Sequence, residues 1–353
     1  MDLAEAVAWC SENDMTLAVY DIDLASRDGV WTPAFTGRTA PARALLRGFN
    51  KQLETVLGAF GATMLRGAAG ALHTLLGSEF GDEVNELAEL IGVSPREVVL
   101  ANVAYDISHA AGCSTFVADT EAGPLHARNL DWDFPGELLR RHTSVVRVRN
   151  APAGDYACVT WPGLFGALTG VAPGRFAITV NYVNHAEESS VAGVARRALK
   201  GYWPVTWVVR QALDHAKSFD AAVKHLRSAK IIAPVLFTVS GTRSGEGVVI
   251  ERSAETSAAR KLDDGSVCVT NHYVSRTRRH SNTDLGVLDT EARLEHLHQH
   301  AGNVDDSSGA LRLLASKTLL AENTQHQVVM RAADGLLVVK VPGGRARRVT
   351  MSG

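Results

Sequence analysis

The chain has 353 residues, of which 46% are hydrophobic and 21% are charged, with a formal net charge of −2. This is the composition of an ordinary globular protein, long enough for one large domain or two of usual size. The small net charge gives no global field that would attract nucleic acid or an anionic membrane. The basic ending GGRARRV is interpreted as a solvated tail, so no nucleic-acid partner is predicted.

Cysteine usage and the N-terminus indicate the compartment. The four cysteines are Cys10, Cys113, Cys158 and Cys268. They are too few and too far apart for a disulfide scaffold or a CxxC zinc pattern, which favours free thiols in a reducing compartment. The acidic start lacks the order of a signal peptide, and Arg66 and His73 interrupt the most apolar early stretch. The sequence therefore predicts a cytoplasmic protein without a transmembrane segment.

The first 112 residues are predicted to be mostly helical. TLAVYDID (16–23) favours one early strand, because β-branched and aromatic residues suit strands. Apolar residues at helical spacing fill 40–76, and 82–92 repeats the pattern and stops at a glycine. SPREVVLANVAYDIS begins with a serine cap and a proline at the first helical position, which predicts a further helix start.

After Gly112 the pattern changes to short β-like runs separated by Gly, Pro, Asn and Asp. Helices are predicted at 204–216, 218–228, near 287–301 and at 307–317, before a final hairpin in HQVVMRAADGLLVVKVP. Runs of strands with helices inserted in pairs favour sheets stacked in layers and covered by helices, which is an α+β fold.

Cys113 lies where the helical part gives way to the first strand of the sheet-rich part. The runs 114–118 and 124–131 are separated by DTEAG, which suits a hairpin turn and would bring Arg128 and Asp131 back towards the cysteine. An arginine beside a thiol stabilises the thiolate and lowers its pKa. These residues suit a nucleophile whose base is its own α-amino group, a group that exists only if the chain is cut between Gly112 and Cys113.

Other interpretations of these residues remain open. A free cysteine on a strand is usually a small buried apolar residue, and we expect this of the three other cysteines. His272 beside Asn271 allows a papain-like triad with Cys113, although adjacent residues on a strand point to opposite faces. The histidines of HLHQH (296–300) lack convergent carboxylates or thiols. No metal site and no cofactor are predicted.

The stretch CSTFVADTEAGPLHARNLDW resembles the start of the catalytic subunit in the family of acid ceramidase and N-acylethanolamine acid amidase. This family is related to the choloylglycine hydrolases and the penicillin acyltransferases. LTGVAPGRFAITVN (168–181) and Thr270-Asn271 followed by an arginine pair resemble further family segments in the same order. The resemblance runs from about residue 90 to 280, with Ala127 where the family usually has glycine.

The resemblance implies an N-terminal-nucleophile hydrolase fold, an αββα sandwich of two mainly antiparallel sheets. It also implies self-cleavage between Gly112 and Cys113. The products would be a helical pro-segment, 1–112, that packs on the core, and a catalytic part, 113–353. Each of these two processed chains would be the other's partner, and self-association into a homo-oligomer is left open.

Carried over by position, the resemblance makes Cys113 the nucleophile, with Arg128 and Asp131 orienting it and the scissile amide. Asn271 would donate to the oxyanion.

The remaining positions concern the substrate. Arg278 would be the active-site arginine, and Asn181, Tyr182 and Trp161 would lie at the substrate. Tyr182 stands where ceramidases carry a glutamate, which weakens the argument that the ceramidase substrate carries over. The implied function is hydrolysis of a linear amide bond in a small N-acyl compound through a thioester. An acyltransferase and a non-catalytic relative of the fold are the alternatives.

Overall fold

The computed structural model describes residues 17–35, 39–77, 79–107, 111–134, 137–183, 190–275 and 289–351. Its strands are β1 Ala18–Asp23, β2 Ala111–Ala118, β3 Leu125–Trp132, β4 Ser144–Arg149, β5 Tyr156–Thr160, β6 Thr169–Ala172, β7 Phe176–Tyr182, β8 Val235–Ser240, β9 Gly247–Arg252, β10 Ser257–Lys261, β11 Ser266–Val269, β12 Thr324–Arg331, β13 Leu336–Lys340 and β14 Arg347–Arg348. Its helices are α1 Thr32–Phe35, α2 Thr39–Leu76, α3 Gly81–Ile91, α4 Pro95–Asn102, α5 Ala104–Ile107, α6 Leu138–Arg141, α7 Val191–Leu199, α8 Val205–His215, α9 Phe219–Ser228, α10 Thr290–His300 and α11 Ser307–Leu314.

The strands form two sheets that pack face to face. The eight-stranded sheet has the order β1-β4-β5-β6-β7-β8-β9-β10, and the six-stranded sheet has the order β11-β2-β3-β12-β13-β14. Within the described residues, β1 and β4 are parallel and the other neighbours are antiparallel. Val145 and Val159 of the larger sheet meet Val328 and Val339 of the smaller one in the core between the sheets.

Helices cover both outer faces of this sandwich. Helices α8 and α9 pack on the eight-stranded sheet, and α10 and α11 pack on the six-stranded sheet. Leu297 of α10 lies in one apolar cluster with Phe116 and Ala127 of the β2–β3 pair. The order helix, sheet, sheet, helix confirms the predicted α+β fold with two mainly antiparallel sheets.

The N-terminal helices begin and end where local sequence signals place them. Ser94 caps α4 by accepting a hydrogen bond from the Glu97 amide, while the Glu97 carboxylate accepts one from the Ser94 amide. Gly92 ends α3 in the left-handed region, at φ 74°, where a residue without Cβ is favoured. These contacts confirm the helix start at Ser94 and the stop at Gly92.

The N-terminal part is built into the sandwich. β1 forms the edge strand of the eight-stranded sheet. The Phe49 ring of α2 packs on Trp132 at the end of β3, with 5.5 Å between ring centroids. Glu83 of α3 pairs with the buried Arg210 of α8 at 3.1 Å. The division at residue 112 stays a prediction, but the two parts share one core.

The β2–β3 hairpin fixes which side chains face the space between the sheets. Its register pairs Cys113 with Leu130 and Thr115 with Arg128, which confirms the predicted pairing of these strands. Since side chains alternate along a strand, these four residues share the inner face, opposite the face that carries Phe116. The pairing therefore brings the cysteine and the arginine to the same side of one sheet.

Candidate active site

Cys113 lies near the start of β2 and is fully buried. The Nη2 of Arg128 donates a hydrogen bond to its Sγ at 2.9 Å. The thiol in turn donates to the Val180 carbonyl of β7, across the space between the sheets, at 3.8 Å. Arg128 is itself held by the Leu168 carbonyl and the Thr169 hydroxyl, at 3.0 and 2.9 Å. The guanidinium is therefore fixed beside the sulfur.

Burial, rather than Arg128, decides the protonation of this thiol. Loss of solvation raises the pKa of Cys113, although Arg128 and Arg293 act in the opposite direction. Arg128 thus acts in the direction expected from the sequence, but burial outweighs it and the net pKa of the thiol in the intact chain is raised. The desolvation cost of a charged sulfur exceeds the attraction of the nearby guanidinium groups. The thiol therefore stays protonated here, and an attack by its sulfur has to pass the proton to another group.

Asn271 follows β11 and contacts the backbone of the nucleophile. Its Oδ1 accepts a hydrogen bond from the Cys113 amide at 2.9 Å. Its Nδ2 donates to the Tyr182 carbonyl at 2.7 Å. Asn271 thus contacts Cys113, but in the intact chain its NH₂ group is engaged by Tyr182. Donation to an oxyanion stays a prediction.

Arg293 of α10 is an active-site residue that the sequence analysis missed. Its Nη1 donates to the Cys113 carbonyl at 2.9 Å and to the Ser114 hydroxyl at 3.0 Å. Its Nη2 donates to Asn271 Oδ1 at 3.0 Å. The sequence carries a signal for this contact, because residues 290, 293, 294 and 297 have the spacing of one helix face. In the structure all four are buried along that face. An arginine on the apolar face of a helix calls for a buried partner.

Asp131 balances part of this positive charge. Its Oδ2 lies 4.0 Å from Arg293 Nη1, and its Oδ1 accepts a hydrogen bond from the Thr324 hydroxyl at 2.6 Å. Burial raises the pKa of Asp131, while Arg293, Thr324 and Arg128 act to lower it. Arg128 thus contacts the sulfur of Cys113 and Arg293 its carbonyl group, and Arg293 is the one that lies close to Asp131. Two guanidinium groups at one residue suit negative charge developing at the sulfur or at a substrate carbonyl.

Asn181 of β7 connects the two sheets through side-chain hydrogen bonds. Its Oδ1 accepts from the Thr115 hydroxyl at 2.8 Å, and its Nδ2 donates to the Thr270 carbonyl at 3.0 Å. Both ends of its amide are thus occupied by protein groups next to Asn271. Its contact with a substrate stays a prediction.

Of the other residues expected at the substrate, Tyr182 and Trp161 are described by the structure and Arg278 is not. Tyr182 is buried and supplies its carbonyl to Asn271. Trp161 is buried, donates from Nε1 to the Leu139 carbonyl at 2.7 Å, and packs edge-on against Trp132. Arg278 lies outside the described residues. Its place at the active site stays a prediction.

A narrow crevice lies beside Tyr105 and Trp132. Its volume is about 10 Å³, roughly the space of one water molecule. Its lining is mainly apolar and aromatic and comprises Ala101, Asn102, Tyr105, Trp132, Val159, Thr160, Trp161, Leu164, Gly166, Leu168 and Thr206. Cys113 does not line this crevice and is fully buried, so the intact chain leaves its thiol closed to solvent.

His272 does not complete a triad with Cys113. Its Nδ1 lies 3.0 Å from the Thr290 hydroxyl and 3.3 Å from the Thr270 hydroxyl. None of the hydrogen bonds found for His272 within the described ranges reaches Cys113, which removes the geometric basis of a papain-like arrangement.

The other expectations concern thiols, metals and membranes. Cys158 and Cys268 are buried free thiols, whereas Cys10 lies outside the described residues. The part of the chain that the structure describes contains no group of three or more His, Cys, Asp or Glu side chains placed to hold a metal ion. It also contains no helix that is both long and apolar enough to cross a membrane.

Three known groups of proteins are similar to this chain. The family model described as acyl-coenzyme A:6-aminopenicillanic acid acyl-transferase matches residues 119–331. The N-acylethanolamine-hydrolyzing acid amidase of Mus musculus is 32% identical over 184 residues, which is 51% of this chain and 49% of that protein. The acid ceramidase of Mus musculus is 29% identical over 197 residues, which is 50% of this chain and 48% of that protein.

Among solved structures, that of the Caenorhabditis elegans N-acylethanolamine-hydrolyzing acid amidase ortholog superposes with a TM-score of 0.52 at 24% sequence identity. The match covers 62% of this chain and 93% of that chain.

Together with the αββα layers, this superposition defines an N-terminal-nucleophile hydrolase fold. The chain belongs to the acyl-coenzyme A:6-aminopenicillanic acid acyl-transferase family, whose model matches more than half of its length. This membership confirms the resemblance found in the sequence. The chain spans about half the length of the curated relatives it matches.

Proposed function

We propose that this protein is a self-processing cysteine amidase that hydrolyses a linear amide bond of a small N-acyl compound. The observation that carries the proposal is the buried cluster at Cys113, in which Arg128 contacts the sulfur while Asn271 and Arg293 contact the backbone of the same residue. Relatives named as N-acylethanolamine-hydrolyzing acid amidase and acid ceramidase support the choice of an amide substrate.

The first step is cleavage of the chain. The Cys113 sulfur attacks the Gly112 carbonyl carbon, a C–S bond forms, and the C–N bond to Cys113 breaks. The thiol proton passes to the departing nitrogen, which becomes an α-amine. Water then hydrolyses the thioester and restores the thiol. An α-amine has a pKa of about 7.7–8.0, so cleavage creates the base that the buried thiol lacks.

After cleavage the two chains should stay together. β1 of the N-terminal part remains the edge strand of the larger sheet, and Glu83 remains paired with the buried Arg210. The Phe49 ring keeps its contact with Trp132. Separating the parts would expose this apolar surface and leave a buried charge without a partner, which is costly.

The cleaved enzyme then acts on a substrate amide. The α-amine takes the thiol proton, the sulfur attacks the substrate carbonyl, and the leaving amine takes the proton back. Water hydrolyses the acyl-enzyme. Arg128 and Arg293 stabilise the negative charge of these steps. The crevice beside Trp132 and Trp161 suits an apolar acyl group, and it has to widen to admit one because the intact chain leaves about 10 Å³ there.

A panel of N-acyl amines of graded acyl length tests this function. The purified protein should release free acid and amine from at least one member, and Cys113→Ala should release neither. Cys158→Ala is the matched control, because Cys158 is also a buried free thiol. Turnover by Cys113→Ala equal to that of the wild type would exclude Cys113 as the nucleophile.

Acyl transfer is the second candidate, and the name of the matching family favours it. The two reactions share the thioester and differ in whether water or an amine takes the acyl group. Addition of a small amine acceptor at rising concentration distinguishes them: an acyltransferase forms the new amide at the expense of free acid. A protein that turns over nothing yet folds and stays uncut would instead be a non-catalytic relative.

Two further properties remain proposals. A cytoplasmic location follows from the composition and is tested by fractionation of the producing cells. Self-association is tested by sedimentation of the purified protein over a range of concentrations.

A further inference from the structure

Tyr105 belongs to the part of the chain before the cleavage point, yet its ring lies in the active site. It is 3% exposed and sits in the short helix α5. Its ring packs edge-on against Trp132 and Tyr182, with centroid separations of 5.4 and 6.3 Å. These contacts fix the ring at the narrow crevice that it lines together with Trp132.

The hydroxyl of this ring and the thiol of Cys113 converge on one carbonyl group. Tyr105 Oη donates to the Val180 carbonyl at 3.3 Å, and Cys113 Sγ donates to the same oxygen at 3.8 Å. The two side chains therefore share one acceptor. Arg128 contacts the sulfur as well, at 2.9 Å. Sulfur, phenol and guanidinium thus form one contact group.

We propose that Tyr105 is a positioning residue for the nucleophile, supplied to the catalytic centre by the 1–112 part of the chain. While the thiol is neutral, the phenol donates to the Val180 carbonyl. When Cys113 ionises, the phenol turns its proton towards the sulfur and, with Arg128, holds the thiolate in place. This inference rests on the proposed amidase function, and it deepens that function by adding a residue to the same site.

The chemistry of the phenol suits this role. Burial raises the pKa of Tyr105 well above its usual range, and the neighbouring Cys113 raises it further. The hydroxyl therefore keeps its proton and acts only as a donor to the thiolate. No net proton passes through Tyr105, because the proton of Cys113 goes to the α-amine of the proposed mechanism. A hydrogen bond to a charged group is stronger than one between neutral groups.

Tyr105→Phe removes the hydroxyl and keeps the ring. In the processed enzyme we expect kcat to fall about 10-fold or more, the usual effect of losing one hydrogen bond to a charged group, with KM nearly unchanged. The alkylation rate of Cys113 by a small reagent is followed by mass spectrometry across pH. The midpoint of this pH profile should move to higher pH by about 1 pH unit or more. This second readout needs no substrate, so it tests Tyr105 even if the amidase proposal fails.

Tyr156→Phe is the matched control. Tyr156 is another buried tyrosine, and its hydroxyl donates to Asp214 at 2.6 Å, away from the contact group of Cys113. This control should lose stability but keep the alkylation profile of the wild type. Equal profiles for the wild type and Tyr105→Phe would overturn the inference, as would the same shift in both variants.

A second pair of variants covers the case in which Tyr105→Phe does not fold. Tyr105→Gln keeps a donor and Tyr105→Leu does not. We expect the alkylation profile of the glutamine variant to lie nearer to the wild type. Indistinguishable profiles for these two variants would also overturn the inference.

Discussion

Replacement of Arg293 by glutamine tests the residue that the structure adds to the site. Arg293 donates three hydrogen bonds, at 2.9, 3.0 and 3.0 Å, to Cys113, Ser114 and Asn271. It also lies 4.0 Å from the buried Asp131 carboxyl group. A glutamine side chain is too short to replace these contacts and carries no charge. The variant therefore leaves Asp131 buried without its nearest cation.

The expected magnitude follows from these contacts. Breaking a buried ion pair by removing one partner costs about 3–5 kcal/mol. The 4.0 Å separation from Asp131 is longer than a direct hydrogen bond, which favours the lower end of that range. We expect the free energy of unfolding to fall by about 3 kcal/mol and turnover to fall about 100-fold or more, as when one donor to a developing negative charge is removed.

Stability is measured by denaturant unfolding in the Cys113→Ala background, so that the compared proteins remain single chains. Turnover is measured with the cysteine present. The matched control is Arg312→Gln, which should change both quantities little, because Arg312 is an exposed arginine of α11. Near-normal turnover and stability in Arg293→Gln would refute this account of the site.

Three further variants extend the account. Asn271→Ala should lower turnover about 100-fold or more if its amide serves the oxyanion, and unchanged steady-state rates would remove it from the site. His272→Ala should keep substantial activity, since its ring contacts Thr290 rather than Cys113; collapse of activity would revive the histidine mechanism. Burial lowers the pKa of His326 to about 3 from 6.5, so the unfolded chain takes the proton first as pH falls. Relative to His326→Leu, the wild type should therefore lose about 1.4 kcal/mol of unfolding free energy for each pH unit between pH 6.5 and 3. Parallel plots of unfolding free energy against pH for the two proteins would contradict this.

The sequence predicted the local features of the site because they depend on nearby residues. The alternation on either side of DTEAG determined the pairing that places Arg128 beside Cys113. The serine and proline at the start of α4 marked a helix boundary that the structure contains. Signals of this kind act over a few residues and can be interpreted without the rest of the fold.

Two properties of the site depend on the assembled fold and were not predicted. Arg293 contacts the Cys113 carbonyl across 180 residues of sequence, and only the packing of α10 on the smaller sheet brings them together. The raised pKa of the thiol comes from burial by both sheets and the N-terminal helices. The desolvation of a group sums the contributions of many neighbours that are distant in sequence, so a short motif does not reveal it.

The intact mass of the purified, active protein tests the central claim most directly. Cleavage between Gly112 and Cys113 predicts two chains, 1–112 and 113–353, that elute together under native conditions and separate in denaturant. Cys113→Ala should give a single uncut chain. An active enzyme that remains one intact chain would contradict the account, because its Cys113 nitrogen would still be an amide and could not serve as the base.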